Sequence, residues 1–319
     1  MNNKIKAIII ILFFINLFPF FGQCQESNWK ITSHLDDWNQ FIQNASKYNK
    51  KSAVQMFYSF NPEFYNSVMK HLGIKRPKKY LYDHVKLLDL KKERKKVEKV
   101  ISKEFTEIAT SVISKIKSMY PGLEKRNINI HLINFFPLFD GMAMLLENEP
   151  AVILNCTNLV EATDFHIKVL IAHELNHALR FSFTGYPSGI HKGILHQRVR
   201  NSLILEGLAV AFSEITYPDG NLEDYIPFYR FNPDKLTIAK KNQDKIISLI
   251  IENLDKKISN PSVQDYFYGQ GAEDMRSSFR NSAYFVGYRL IKILLEKGYN
   301  ICELTAMPSK KIIKIYLNK

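Results

Sequence analysis

His173 and His177 stand four residues apart, with Glu174 directly after the first, in the run His173-Glu174-Leu175-Asn176-His177. Four residues is slightly more than one turn of α-helix, so both imidazoles face one side and can share a metal ion. Zinc suits such nitrogen donors and supplies a Lewis acid and an activated water, while Glu174, on the same turn, is placed to move the water's proton. The chemistry this predicts is hydrolysis, with Glu174 as the base. Spacing alone also fits two histidines on an ordinary polar helix face, so the neighbouring chain has to decide.

From Thr163 to Phe181 the sequence runs TDFHIKVLIAHELNHALRF without Gly or Pro. Ile167, Leu170, Ile171, Leu175 and Leu179 keep near-helical spacing, and Thr163 or Asp164 can cap the start. A buried, continuous helix is expected there. A catalytic zinc site takes three protein ligands and leaves one position open. No glycine and third histidine follow on this helix, since Arg180 and Phe183 occupy the places they would hold. The third ligand is expected downstream, in the apolar run Leu203-Ile204-Leu205-Glu206-Gly207-Leu208-Ala209-Val210-Ala211-Phe212. A carboxylate among such neighbours is costly to bury unless it is paired or binds a cation. Pairing of Glu206 with Arg198 or Arg200 is the plain alternative, and His191 and His196 are rival ligands on a looser, Gly-containing connection. Gly207 and Ala209 are small enough for this helix to pack closely on the first.

HELNH followed by LEGLA resembles the glutamate-ligand branch of the zincins, and most closely a bacterial family described as predicted zinc-dependent proteases. That family also carries a late Tyr-x-x-Gly-Tyr, matched here by Tyr284-Phe285-Val286-Gly287-Tyr288. The resemblance spans roughly residues 125 to 300. It implies an α+β, zincin-like metallopeptidase domain: a small sheet plus active-site helices, with one catalytic Zn2+ held by His173, His177 and Glu206. It also implies Glu174 as base, a peptide or protein substrate, and Tyr284 or Tyr288 assisting at the oxyanion. The run AVAFSE departs from the family, which often has a more acidic residue soon after the EGLA glycine. The alternative reading is an inactive zinc-binding domain that serves as a binding or surface-associated module; an intact Glu174 argues against it.

With 319 residues, 46% hydrophobic and 24% charged, the chain can bury a sizeable core and is not of disordered composition. Lys4 and Lys6 precede a short apolar run broken by Pro19, and Gly22 and Cys24 sit two apart, so residues 1–24 read as an export signal. The protein is expected to be periplasmic or secreted. Lipid attachment at Cys24 is the lesser reading, because Gln23 stands where a small residue is expected. Cys156 follows a strand-like run and is expected as a buried free thiol.

The net charge is +13, concentrated between Lys75 and Lys103. No nucleic-acid motif accompanies that region, so no nucleic-acid partner is expected. The lysines read as the wet face of a helix, with weak attraction to an anionic membrane or wall surface as their functional reading. Residues 25–122 are expected to form a helical N-terminal region, ending in a long Lys-rich helix from about residue 82 to 120. Residues 123–319 are expected to hold the zincin-like domain. Its strands are predicted at Ile128–Ile133, Gly141–Leu146 and Ala151–Asn155, with a turn at Asn148-Glu149-Pro150.

Overall fold

The computed structural model describes residues 29–47, 49–123, 126–134, 139–185, 196–226, 233–263 and 282–318. The export segment with Cys24 and the rival ligand His191 lie outside these residues. Four strands, β1 (Trp29–Ser33), β2 (Ile128–Ile133), β3 (Gly141–Leu146) and β4 (Glu149–Asn155), form one sheet in the order β1-β2-β4-β3. β2 runs parallel to β1 and β4, and only β3 is antiparallel, as the edge strand beside β4. The β3–β4 hairpin turns on Glu147 and Asn148, which take φ of 51° and 68°. Paired positive φ values give the twist that a tight hairpin needs. The turn therefore comes earlier than expected, and Pro150 lies within β4.

Before the second strand come α1 (Leu35–Lys47), α2 (Lys50–Phe60), α3 (Pro62–His71), α4 (Pro77–Lys86), α5 (Leu90–Ser102) and α6 (Phe105–Met119). After the sheet come α7 (Cys156–Leu159), α8 (Asp164–Thr184), α9 (Val199–Thr216), α10 (Leu222–Tyr225), α11 (Pro233–Lys241) and α12 (Gln243–Glu252). The chain closes with α13 (Ser282–Glu296), α14 (Ile301–Ala306) and α15 (Ser309–Leu317). The fold is α+β, a small sheet among helices with a helical N-terminal region. Among the described residues no helix is long and apolar enough to cross a membrane.

The sheet is covered on both faces, as parallel strands require. Ile128, Ile130 and Leu132 of β2, with Val152 and Leu154 of β4, join the core built by α6, α8, α9 and α13. Ala151 and Ile153 face the opposite way, into a second core filled by Trp38, Phe41, Phe57, Tyr65 and Met69 of the first helices. Alternation along β4 thus divides its side chains between two hydrophobic layers.

Two N-terminal features differ from expectation. Trp29–Ser33 is a strand rather than helix, because its partner β2 lies far along the chain and gives no local signal. The long Lys-rich helix falls on three helices, α4, α5 and α6, and at the first break Asp89 caps α5 by accepting from Lys91 N at 3.0 Å and Lys92 N at 3.1 Å. A shared helical period of lysines and leucines hid that break.

Where β1 ends, His34 meets the N-terminal helices. Its Nε2 lies 3.1 Å from His131 Nδ1, and its ring stacks on Phe64. Asp37 lies 3.7 Å away on its other side and takes a hydrogen bond from the Tyr65 hydroxyl. Burial, then the neighbouring His34, pushes His131 down to about 4, and burial lowers His34 against the pull of Asp37. Because both folded values lie below the unfolded value near 6.5, protonation favours the unfolded chain. Stability is fully present above about pH 6.5 and is lost as pH falls from there towards about 4. Thermal melts across that window should show the midpoint falling by about 2–4 °C for each kcal/mol lost. His131→Gln should flatten that part of the pH profile, and an unchanged slope would assign the loss to other groups.

Candidate metal centre

α8 begins where Thr163 accepts a hydrogen bond from His166 N, and it ends at Gly185, whose φ of 75° suits only glycine well. From Ile171 to Phe181 every residue of this helix is buried. His173 and His177 therefore sit in the interior, with their rings 4.7 Å apart between centroids. α9 is equally enclosed from Ser202 to Ser213. It is tied to α8 by the Ser213 hydroxyl, which donates to Val169 O at 3.1 Å. This alignment brings Glu206 Oε2 to 3.3 Å from His173 Nε2 and 3.3 Å from His177 Nε2. The three ligand atoms lie within 4.8 Å of one another.

These residues fit a zinc ion. Tetrahedral donors about 2.0–2.1 Å from a zinc stand roughly 3.3 Å apart, which is the spacing between the carboxylate oxygen and each ring nitrogen. Two imidazole nitrogens and one carboxylate oxygen leave one tetrahedral position for a fourth ligand. Arg198 and Arg200 do not take up Glu206, since both pair with Asp255. His196 is exposed and stands outside the cluster. Burial opposes ionisation of Glu206 most strongly, but His177 and His173 together outweigh it and draw the carboxyl down to about 2. Neither His173 Nδ1 nor His177 Nδ1 has a hydrogen-bond partner among the described residues. Ligating imidazoles usually donate that hydrogen to an acceptor. Here the rings are oriented by packing, and His177 stacks on Phe181.

Glu174 is 7% exposed and lies beneath the edge strand. Gly141 opens β3 directly above it: a Cβ there would stand 3.1 Å from Glu174 Cγ. Small residues at Gly141 and Ala143 let the strand lie close to α8, and the Ala143 backbone N–H donates to the Glu174 carboxylate. Burial pushes Glu174 up to about 7, with Glu206 and Asp140 adding to the rise and His173 opposing it.

The tyrosines lie on α13, which crosses α9 where two glycines meet. A Cβ on Gly207 would fall 2.3 Å from the Gly287 carbonyl carbon, and one on Gly287 would fall 2.3 Å from Leu203 O. The small residue beside Glu206 therefore serves α13, where the sequence had suggested the HELNH helix as its neighbour. Tyr288 donates its hydroxyl hydrogen to Glu214 at 2.8 Å, and Lys292 holds the other Glu214 oxygen at 3.0 Å. Glu214 follows Glu206 on α9 by about 12 Å of helix rise. Tyr284 is buried one turn before Tyr288, at the end of α13 that meets Leu203 and Gly207.

Asn176 and Arg180, which motif spacing does not single out, brace the back of α8. Asn176 Nδ2 donates to Thr305 Oγ1 at 3.0 Å, and Arg180 donates to Leu304 O, Thr305 O and Ser309 Oγ. Burial lowers Arg180 to about 10, so it stays charged at neutral pH and caps the carbonyl end of α14. Two polar side chains in an otherwise apolar helix core were the available signal. Cys156 and Cys302 are both free, and Cys156 is buried as expected.

Helices that bring two histidines and a glutamate to one buried point, beside a mixed sheet with an antiparallel edge strand, define an α+β domain with a ligand set that could hold a metal ion. Residues 123–314 match the family described as predicted Zn-dependent protease, and the chain belongs to that family. No curated protein and no solved structure matches the chain.

Proposed function

We propose that this protein is an exported zinc metallopeptidase, with zinc held by His173, His177 and Glu206 and with Glu174 as general base. The observation that carries the reading is the meeting of both Nε2 atoms at one Glu206 oxygen, with Glu174 on the same turn. Bound there, zinc supplies Lewis acidity and lowers the pKa of an attacking water. Glu174 takes the proton from that water and passes it to the leaving amine. Ala143 N–H aims its carboxylate, and burial beneath β3 keeps bulk water from competing. The outer edge of β3, from Gly141 to Leu145, offers an extended peptide those backbone groups that Glu174 does not take. Export rests on the basic and apolar character of residues 1–24.

The direct test measures metal content of the purified protein and its digestion of a peptide library. About one zinc per chain, cleavage lost on chelation and cleavage restored by zinc are the expected results. Stoichiometric zinc with no cleavage of any peptide would favour the inactive binding module, and failure to bind zinc would sink both readings.

Tyr288 gives its hydrogen to Glu214, and we assign the oxyanion role to Tyr284 on its position, in the half of α13 that crosses α9 beside Glu206. Tyr284→Phe should lower kcat about tenfold to a hundredfold while zinc content and KM stay nearly unchanged. That is less than loss of a sole oxyanion donor, because the metal shares the charge. Tyr288→Phe should lower the melting temperature and spare kcat. The reverse pattern would transfer the role to Tyr288.

A further inference from the structure

The region preceding the family match carries a surface that peptide hydrolysis does not use. Leu87, between α4 and α5, is 84% exposed. Its backbone is held firmly: Leu87 N and Leu88 N donate to His84 O and Val85 O. Lys50 Nζ donates to Lys86 O at 3.2 Å and Leu88 O at 2.9 Å. The turn thus has its polar groups satisfied from within while one large apolar side chain is presented to solvent.

Charge around the turn is sorted by sign. Lys86, Lys91, Lys92, Arg94 and Lys95 are exposed, while Glu93, the acid in the first two turns of α5, is buried and faces Lys96 at 3.8 Å. Asp89 is engaged as the cap of α5. Lys91, Lys92 and Lys95 form no ion pair with a described residue, unlike Lys79, Lys96 and Lys99, which pair with Asp83, Glu93 and Glu161.

We propose that the α4–α5 corner docks the protein on an anionic lipid bilayer, with Leu87 entering the head-group layer and Lys91, Lys92 and Lys95 meeting the lipid phosphates and carboxylates. A bilayer surface accepts both parts of the patch, the cations by charge and the leucine by burial. Duplex nucleic acid would use the cations and leave Leu87 in water. Docking would concentrate the peptidase on substrates held at that surface.

The test is co-sedimentation of the full chain with vesicles of phosphatidylcholine, with and without roughly one third phosphatidylserine. Residues 1–28 are common to every variant, so differences between variants report the corner. Wild type should favour the anionic vesicles, and added salt should weaken that preference. Lys91→Gln, Lys92→Gln and Lys95→Gln together should reduce partitioning about a hundredfold, near fivefold for each cation. Leu87→Ser should reduce it about tenfold or more. Leu87→Trp should bind at least as well and shift its emission to the blue on anionic vesicles. Equal binding to neutral vesicles, or partitioning indifferent to Leu87, would overturn the proposal. So would tight binding of duplex DNA that survives Leu87→Ser. All substituted side chains are exposed, and unchanged circular dichroism and zinc content would show that the fold is intact.

Discussion

Glu174→Gln is expected to leave zinc stoichiometry unchanged and to lower peptide hydrolysis by about 10²- to 10⁴-fold, the usual contribution of a general base. The substitution nearly preserves volume, so the close contact with Gly141 survives. The amide can still occupy the site beside the Ala143 N–H, but it has no lone pair basic enough to take a proton from water. A metal assay on the same preparation separates loss of catalysis from loss of the centre. Cleavage at the wild-type rate would mean that the activity arises elsewhere.

Glu206→Gln should instead act on the metal itself, weakening zinc affinity by at least a hundredfold. Changes to residues that merely support a ligand cost about 10- to 100-fold, and removal of a ligand's charge should exceed that. Glu206 is 5% exposed and lies 3.3 Å from both ring nitrogens, so no nearby solvent group can replace it. Arg198→Ala makes a matched control, because Arg198 faces Asp255 and should leave zinc binding untouched. Competition titration with a chromophoric chelator reads both variants. If Glu206→Gln bound zinc as tightly as wild type, the third ligand would have to be sought elsewhere.

Much of the centre was legible because its parts are local or carry an energetic contradiction. The HELNH spacing lies within one turn, and the glycine-free run around it marked α8 to within a few residues. Glu206 stood out as a carboxylate costly to bury unless it is paired or binds a cation. Strands β2 and β3 fell at the expected residues, and β4 begins two residues earlier than expected. What stayed hidden is non-local. β1 forms by pairing with a strand far along the chain, and nothing in Trp29–Ser33 outweighs the helical segments that follow. Gly207 announced a close contact but not with which helix, since a missing side chain names no neighbour. The hydrogen bond from Tyr288 to Glu214 was hidden as well, since spacing gave no cause to connect the two residues.

The glycine crossing bears on when the site can exist. Every proposed metal ligand has been synthesised once residue 206 is made, yet the surface that seats Glu206's helix arrives only with Gly287. Until then the face of α9 that meets α13 has no counterpart, and the depth of its carboxylate relative to the histidines rests on contacts with α8 such as Ser213 with Val169. Chains fold broadly in the order of their synthesis, so the three donors wait for a segment made much later.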